Sequence, residues 1–251
     1  MKKAQIVFFL MISSLITMII YDQVQQVPLD EEPPVEKKVI RVTIPEEKEI
    51  IPEFEGKTFE KVFTVNKIDD IIYNRINTLS YKENDYIEIE DLRYLKVSYW
   101  GFDNKRHYGE LIVHASLAQE VIDIFKDLYD AKYPIEKIKL VDEYQADDNL
   151  SMIDNNSSAF NFRYIAGSKK LSNHAFGMAI DINPLQNPYV SSSSVQPLEG
   201  ERYADRSLDE KGMIQIGDAC YEAFTSRGWT WGGEWKSIKD YQHFEKNTNE
   251  N

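Results

Sequence analysis

The stretch LSNHAFGMAIDIN, residues 171–183, determines how the domain is organised, because it places an acid inside an apolar strand. Side chains of an extended segment alternate between two faces, so Ile180 and Ile182 point to the core and Asp181 points to a cleft. A carboxylate among apolar residues costs several kcal/mol unless it is paired, hydrogen-bonded or bound to a cation. His174, one of only four histidines, lies close enough before Asp181 to fold over the same cleft.

A second cluster of polar side chains follows near the C-terminus, in WGGEWKSIKDYQHFE, residues 231–245. It offers Asp240 and His243. Two histidines and one carboxylate form a common ligand set for Zn²⁺, which leaves a fourth position for water. Such a site suits amide hydrolysis, and Asp240 is placed to take a proton from the water. Read without the rest of the chain, the same residues also fit a hydrogen-bonded core histidine with Asp181 capping a turn.

These motifs resemble a known family. SNHAFGMAID, residues 172–181, resembles the SxHxxGxAxD signature of the M15 zinc peptidases, the D-alanyl-D-alanine carboxypeptidases and L-alanyl-D-glutamate endopeptidases that act on bacterial cell wall. DYQHF, residues 240–244, resembles their DxxH signature. Further likeness, to the branch that includes phage endolysins, extends over residues 75–246. The resemblance implies a zinc cofactor, the ligands His174, Asp181 and His243, and the general base Asp240.

The resemblance also implies substrate contacts. Arg163 matches an arginine that contacts the substrate carbonyl and its developing oxyanion, a catalytic role, although a surface ion pair is the alternative. Ser172 opens the SxH motif and is either a substrate contact or a turn-forming residue. Trp231, in a stretch rich in tryptophan and glycine, is either part of a substrate wall or core packing. His107 and His114 fall outside the ligand motifs, and we expect structural roles for them in a loop and at a strand end.

Hydrophobic periodicity predicts an α+β fold. We expect a single mixed domain with a small antiparallel sheet that carries the zinc site, helices packed on it, and an apolar helix in front. One helix begins at Ser116 as N-cap and buries a face from Leu117 to Leu128. A second runs from Lys211 to Ser226, with Gly228 after its end and Cys220 buried beside Ile216, Ala223 and Phe224. The strand candidates are residues 94–100, 110–114, 138–141 and 178–182.

Composition divides the chain into three parts. Residues 1–21 carry Lys2 and Lys3 before an uncharged apolar run, which indicates an export signal or, as we expect, an uncleaved membrane anchor. Residues 22–55 hold five of the nine prolines and ten acids against four bases, a composition typical of an extended linker. Residues 56–251 form the peptidase-like domain, which the anchor would hold at the bacterial cell surface, outside the cytoplasm.

The expected function is hydrolysis of an amide bond in a peptidoglycan stem peptide. Both L-alanyl-D-glutamate endopeptidase and D-alanyl-D-alanine carboxypeptidase activity fit the shared motifs. A cell-wall-binding module that keeps the fold without catalysis is the alternative, and a Ser172 nucleophile activated by His174 fits a triad poorly. The net charge of −13 excludes nucleic acid as a natural partner. The membrane and the stem peptides are the expected partners of a monomeric chain.

Overall fold

The computed structural model describes residues 59–246. The apolar segment over residues 1–21 and the linker over residues 22–55 lie outside the described residues, so the apolar helix, the linker and the anchor stay predictions. Within the described part, no helix is both long enough and apolar enough to cross a membrane.

Residues 59–246 contain four α-helices and eleven β-strands. The helices are α1 (Asp70–Ile76), α2 (Ala118–Asp130), α3 (Asp148–Ile153) and α4 (Ala219–Thr225). The strands are β1 (Phe63–Lys67), β2 (Leu92–Trp100), β3 (Arg106–His114), β4 (Lys137–Ile138), β5 (Asn156–Ser157), β6 (Ala179–Asp181), β7 (Tyr189–Val190), β8 (Val195–Gln196), β9 (Thr230–Trp231), β10 (Lys239–Asp240) and β11 (His243–Glu245).

The strands form three antiparallel sheets of three strands each, in the orders β1-β2-β3, β10-β7-β8 and β6-β11-β9, while β4 and β5 make a parallel pair. The α+β prediction is therefore confirmed. The prediction of one small sheet is incomplete, because the sheet with the predicted ligands, β6-β11-β9, is one of three.

The two larger elements of the core follow directly from residue patterns. Strand β2 alternates strictly, so Leu95 and Val97 join one buried cluster and Tyr94 joins another on the opposite face. Helix α2 buries the face predicted for it, including Val121 and Phe125, against the first of these clusters. The same cluster takes in residues of β6, β11 and α4, so the sheet that carries the predicted ligands shares one core with β2 and α2.

Three local predictions are wrong. Ser116 does not cap α2, whose N-cap is Leu117 without a side-chain bond, because the Ser116 hydroxyl lies 2.7 Å from Nδ1 of His114 instead. The strand over 138–141 stops at Ile138, because the Asn156 side chain bonds both the N–H and the carbonyl of Lys139. His107 lies in strand β3 rather than in a loop, whereas His114 ends that strand as predicted.

The helix predicted over residues 211–226 is reduced to its second half. Gly212 and Gly217 adopt left-handed φ angles of 81° and 84°, which interrupt an α-helix, and Asp218 caps the helix that begins after it through a 2.7 Å bond to the N–H of Tyr221. Cys220 is buried as expected, but Ile216 is 70% exposed because it precedes the helix. Gly228 follows the helix in a left-handed conformation, as predicted.

Gly177 generates a stability prediction. Its φ is +66°, and a Cβ there would lie 2.5 Å from the backbone nitrogen of His114, at the end of β3. Gly177→Ala therefore combines left-handed strain with a backbone clash and should lower the free energy of unfolding by about 3 kcal/mol or more, measured by urea denaturation. Gly228→Ala is the matched control: its φ is +81° but nothing lies within 4 Å, so only the strain remains, about 1–2 kcal/mol. Equal losses in the two variants would contradict the prediction.

Candidate metal centre

His174 is positioned by a short 3-10 helix over Asn173–Phe176. Ser172 starts this helix, and its hydroxyl accepts a 3.3 Å bond from the backbone N–H of His174. Gly177 ends it in the left-handed conformation. Only one turn of helix thus separates the cap from the glycine, which fixes the direction in which His174 leaves the backbone.

Asp181 and His243 are brought together by strand pairing. They are direct partners in the antiparallel ladder of β6 and β11, and directly opposed side chains project on the same face of a sheet. His243 Nδ1 lies 3.0 Å from Asp181 Oδ1, and His174 Nε2 lies 3.1 Å from Asp181 Oδ2. The two imidazoles approach each other at 3.2 Å, between His174 Nε2 and His243 Nδ1. All three residues are buried.

The other ring nitrogens show which protonation states this cluster favours. Nδ1 of His174 contacts the carbonyl oxygen of Ala159, and Nε2 of His243 lies 3.1 Å from Oε2 of Glu245. A carbonyl or carboxylate oxygen only accepts, so both of these nitrogens carry a hydrogen. In the neutral imidazoles the remaining nitrogens are then acceptors, and they converge with the Asp181 carboxylate without a donor among them.

Three converging acceptors require a cation. Two imidazole nitrogens and a carboxylate oxygen are the ligand types of catalytic zinc sites, with bonds of about 2.0–2.2 Å, which separate tetrahedral ligand atoms by roughly 3.3–3.6 Å. The two imidazole nitrogens lie 3.2 Å apart, close to that spacing, and each contacts a different oxygen of Asp181; one ligand atom from each of the three residues lies within 4.8 Å of the other two. His174, Asp181 and His243 are also the group of the described residues that could hold a metal ion. The structure thus brings the three predicted ligands together, and they fit zinc.

Protonation of His243 replaces the cation when no metal is bound. Burial alone would lower its pKa, but hydrogen bonds to Asp181 and Glu245 raise the pKa of His243 to about 10. The pKa of Asp181 is held far below its usual range, since the two histidines outweigh the effect of burial. A metal must therefore displace a proton from this site.

Asp240 lies on strand β10, three residues before His243. Its Oδ1 atom is buried and has no hydrogen-bond partner among the described residues. Burial raises the pKa of Asp240 to about 6, against the opposing effect of His243. Gly232 allows this placement, because a Cβ there would lie 2.8 Å from the Cβ of Asp240. A carboxylate that has one buried oxygen without a partner and a pKa near neutrality fits a general base, which stays a prediction for Asp240.

Glu245 is a functional residue that sequence reasoning missed. Its carboxylate accepts from His243 and from the side-chain amide of Asn173 at 2.6 Å, so it is fixed from two sides. Carboxylates that hold the far nitrogen of a ligating histidine set its tautomer and orientation. The signal was present in HFE, residues 243–245, because residues two apart in a strand share a face.

The backbone of Arg163 adjoins the site, because its carbonyl oxygen accepts a hydrogen bond from the N–H of Ser172, which precedes the turn with His174. Its guanidinium forms a 2.7 Å ion pair with Asp148, as the alternative reading proposed, while its Nε is buried without a partner among the described residues. The hydroxyl of Ser172 serves the turn before His174, which fits the turn-forming alternative. Contacts of Arg163 and Ser172 with a substrate stay predictions.

Trp231 lies in the core and not on a surface that a substrate could contact. It is 3% exposed, its indole N–H donates a 2.8 Å bond to the carbonyl of Tyr241, and it packs into the shared core. This placement fits core packing rather than substrate contact. Trp235 is the tryptophan near the ligands, because its ring centroid lies 5.4 Å from that of His243 and its side chain is half-buried.

Comparison with known proteins agrees with this geometry. A model of the family described as D-alanyl-D-alanine carboxypeptidase matches residues 166–246, a range that contains both the SxHxxGxAxD and the DxxH motifs. The resemblance to M15 peptidases is thereby confirmed over this stretch. No curated protein and no solved structure matches the chain.

Zinc uptake should release protons. At about pH 7.5 the metal-free His243, with a pKa of about 10, is protonated, and a ligand imidazole must be neutral, so roughly one proton should leave for each ion bound. Affinity should accordingly rise with pH. Calorimetric titration with zinc in buffers of different ionisation heat measures the number released. Uptake without proton release would contradict the assignment of His243 as a protonated ligand.

The role of Glu245 can be tested through metal affinity. Glu245→Ala removes the acceptor that orients His243 and should weaken zinc binding by about 10–100-fold, measured by competition with a chelating dye. Glu245→Gln keeps an acceptor oxygen and should recover most of the loss. Glu199→Gln, at an exposed position, serves as control. Unchanged affinity in the alanine variant would show that Glu245 does not position the ligand.

Proposed function

Because residues 166–246 match the M15 peptidase family, we propose that the chain is a zinc-dependent peptidase that hydrolyses an amide bond in the stem peptide of bacterial peptidoglycan. The observation that carries the proposal is the convergence of His174, Asp181 and His243 as three buried acceptors. A zinc ion, when bound, would act as a Lewis acid and lower the pKa of a water molecule to about 7, so that hydroxide is available as the nucleophile near neutral pH.

The chain's own side chains would supply the proton transfers. Asp240 interacts electrostatically with the three ligand residues, and its buried Oδ1 has no partner among the described residues, so it is suited to take a proton from the attacking water and to pass it to the leaving amine. Arg163 would stabilise negative charge that develops on the carbonyl oxygen. Its ion pair with Asp148 engages one terminal nitrogen of the guanidinium, while its Nε has no partner among the described residues.

Two alternatives carry less support. A wall-binding module without catalysis has no use for Asp240, whose buried Oδ1 has no partner among the described residues. A Ser172 nucleophile needs an imidazole nitrogen of His174 as base. Both nitrogens of that ring are engaged, by Ala159 on one side and by Asp181 and His243 on the other, while the serine hydroxyl bonds the backbone.

The bond that is cut has two candidates. The family description favours the D-alanyl-D-alanine carboxypeptidase, and the likeness to the endolysin branch favours the L-alanyl-D-glutamate endopeptidase. We further propose that the apolar segment over residues 1–21 holds the enzyme at the outer face of the membrane, where peptidoglycan lies.

Mass spectrometry of stem peptides after incubation with the zinc-loaded protein should reveal the product. Loss of one terminal D-alanine identifies the carboxypeptidase, and a cut after the first L-alanine identifies the endopeptidase. Removal of zinc with a chelator should abolish either reaction. No cleavage of either bond by folded, metal-loaded protein would favour the binding module.

Asp240→Asn should lower kcat by about 10²–10⁴-fold, because it removes a general base, while zinc affinity stays nearly unchanged. Asp209→Asn, at an exposed position, is the matched control. A variant that loses zinc together with activity would show that Asp240 supports the metal rather than the proton transfer.

The pH profile of kcat/KM tests the same residue. A base acts only when deprotonated, so activity should fall as the pH drops through the pKa of Asp240, which burial raises to about 6. The limb should lie at that pH or slightly below, since a bound cation favours the carboxylate. A profile without an acid limb between about pH 5 and 7 would exclude Asp240 as the base.

A further inference from the structure

A groove of about 320 Å³ opens beside the metal centre. Its lining includes Tyr86, Tyr164, Lys169, Lys170 and Asn173. Asn173 connects the groove to the ligands, because it directly precedes His174 and its amide bonds Glu245, which in turn holds His243. The groove therefore borders the turn that carries the ligand His174.

The groove carries positive charge in an acidic chain. Lys169 and Lys170 both line it, and neither ammonium group forms an ion pair within residues 59–246. Lys170 lines the same groove as Asn173, the residue before the ligand His174. Against a net charge of −13, an unpaired lysine pair at the site is a local feature that the chain's general composition does not explain.

The lysines are held by a hairpin rather than by an open loop. Tyr164 and Leu171 form an antiparallel bridge, and the N–H of Ile165 donates a 2.9 Å bond to the carbonyl of Lys170. Gly167 turns the chain with a φ of +71°. This backbone order fixes where the two side chains start, which reduces the entropy that a ligand must overcome on binding.

Aromatic side chains form the remaining wall. Tyr86 and Tyr164 are 62% and 53% exposed, unusual values for large rings in a domain with an ample core. Tyr86 lies 6.5 Å from Phe162, between ring centroids, so the wall continues into half-buried aromatic residues. The two ammonium groups can bind carboxylates of a ligand, and the tyrosine rings can pack against its short aliphatic side chains.

We propose that this groove binds a carboxylate of the peptide substrate next to the hydrolysed bond, so that acidic peptides are preferred over their amidated forms. This inference rests on the proposed function and concerns which peptides the proposed peptidase prefers. Two carboxylates of a stem peptide share this chemistry: the α-carboxylate of the D-glutamate residue and the C-terminal carboxylate of D-alanyl-D-alanine. The lysines draw the acidic peptide to a site whose surroundings otherwise repel it.

Binding to the zinc-free protein tests the proposal without relying on catalysis. The probes are two matched peptide pairs: an L-alanyl-γ-D-glutamyl-L-lysine with its glutamate α-carboxylate free or amidated, and a peptide ending in D-alanyl-D-alanine with a free or amidated C-terminus. Calorimetry of the full chain should show about threefold to fivefold tighter binding of the free acid in one pair, the range of one exposed ion pair. The pair that responds identifies the carboxylate.

The double variant Lys169→Met, Lys170→Met keeps the aliphatic stems and removes both charges, so it should lose the preference for the acid. Lys67→Met, an exposed lysine of β1 in another sheet, should retain it. Unchanged circular dichroism and zinc uptake would show that the double variant is folded. Equal affinity for acid and amide in both pairs, no binding of either acid, or a preference that survives the double variant would overturn the proposal.

These outcomes separate the two proposals. Hydrolysis by the zinc-loaded protein together with an unchanged preference in the double variant would refute the groove and leave the peptidase. A preference that depends on the lysines, without hydrolysis of either peptide, would refute the peptidase and leave an acid-binding groove.

Discussion

The structure depends on the burial of the Asp181 carboxylate. An unpaired acid at this depth would cost several kcal/mol, yet it sits on a strand whose neighbours Ile180 and Ile182 belong to the core. Antiparallel pairing of β6 with β11 offsets this cost by placing His243 directly opposite. The compensation is incomplete without a positive charge, because both imidazoles present lone pairs to the carboxylate. Folding of this region and cation binding are therefore linked, with a proton on His243 as substitute for the metal.

The same requirement explains why several small residues surround the site. His174 is carried by a single tight turn that ends at Gly177 against the backbone of β3. Gly232 leaves space for Asp240. The ring of His174 contacts the carbonyl oxygen of Ala159, and the ring of His243 contacts the carboxylate of Glu245. Both ligand imidazoles are thus held at their far nitrogens, as preorganised chemistry requires.

Sequence patterns predicted those features that one element determines alone. The buried face of α2 and the alternation of β2 follow from local periodicity, and the ligands follow from two motifs. Predictions failed where a side chain from elsewhere competed. The side chain of Asn156 takes the hydrogen bond from the N–H of Lys139 that a neighbouring strand would take. The Ser116 hydroxyl contacts Nδ1 of His114 instead of capping α2. The spacing of apolar residues over 211–218 predicts a helix, but Gly212 and Gly217 adopt left-handed φ angles that an α-helix does not allow. Glu245 was missed because its importance depends on where its neighbour His243 points.

Charge connects the site to its surroundings. An acidic domain gains solubility but repels an acidic peptide at long range, and at physiological ionic strength this repulsion is screened beyond about 8 Å. The interaction with an acidic peptide therefore depends on the charged groups that lie within contact distance of it. There the lysines of the hairpin over residues 164–171 adjoin a centre that itself needs a cation. A peptide carboxylate would thus be attracted to this pair of lysines, and the carbonyl next to it would be carried toward the ligands. Specificity for acidic peptides would then arise from local charge against an opposing net charge, which makes it sensitive to single side chains.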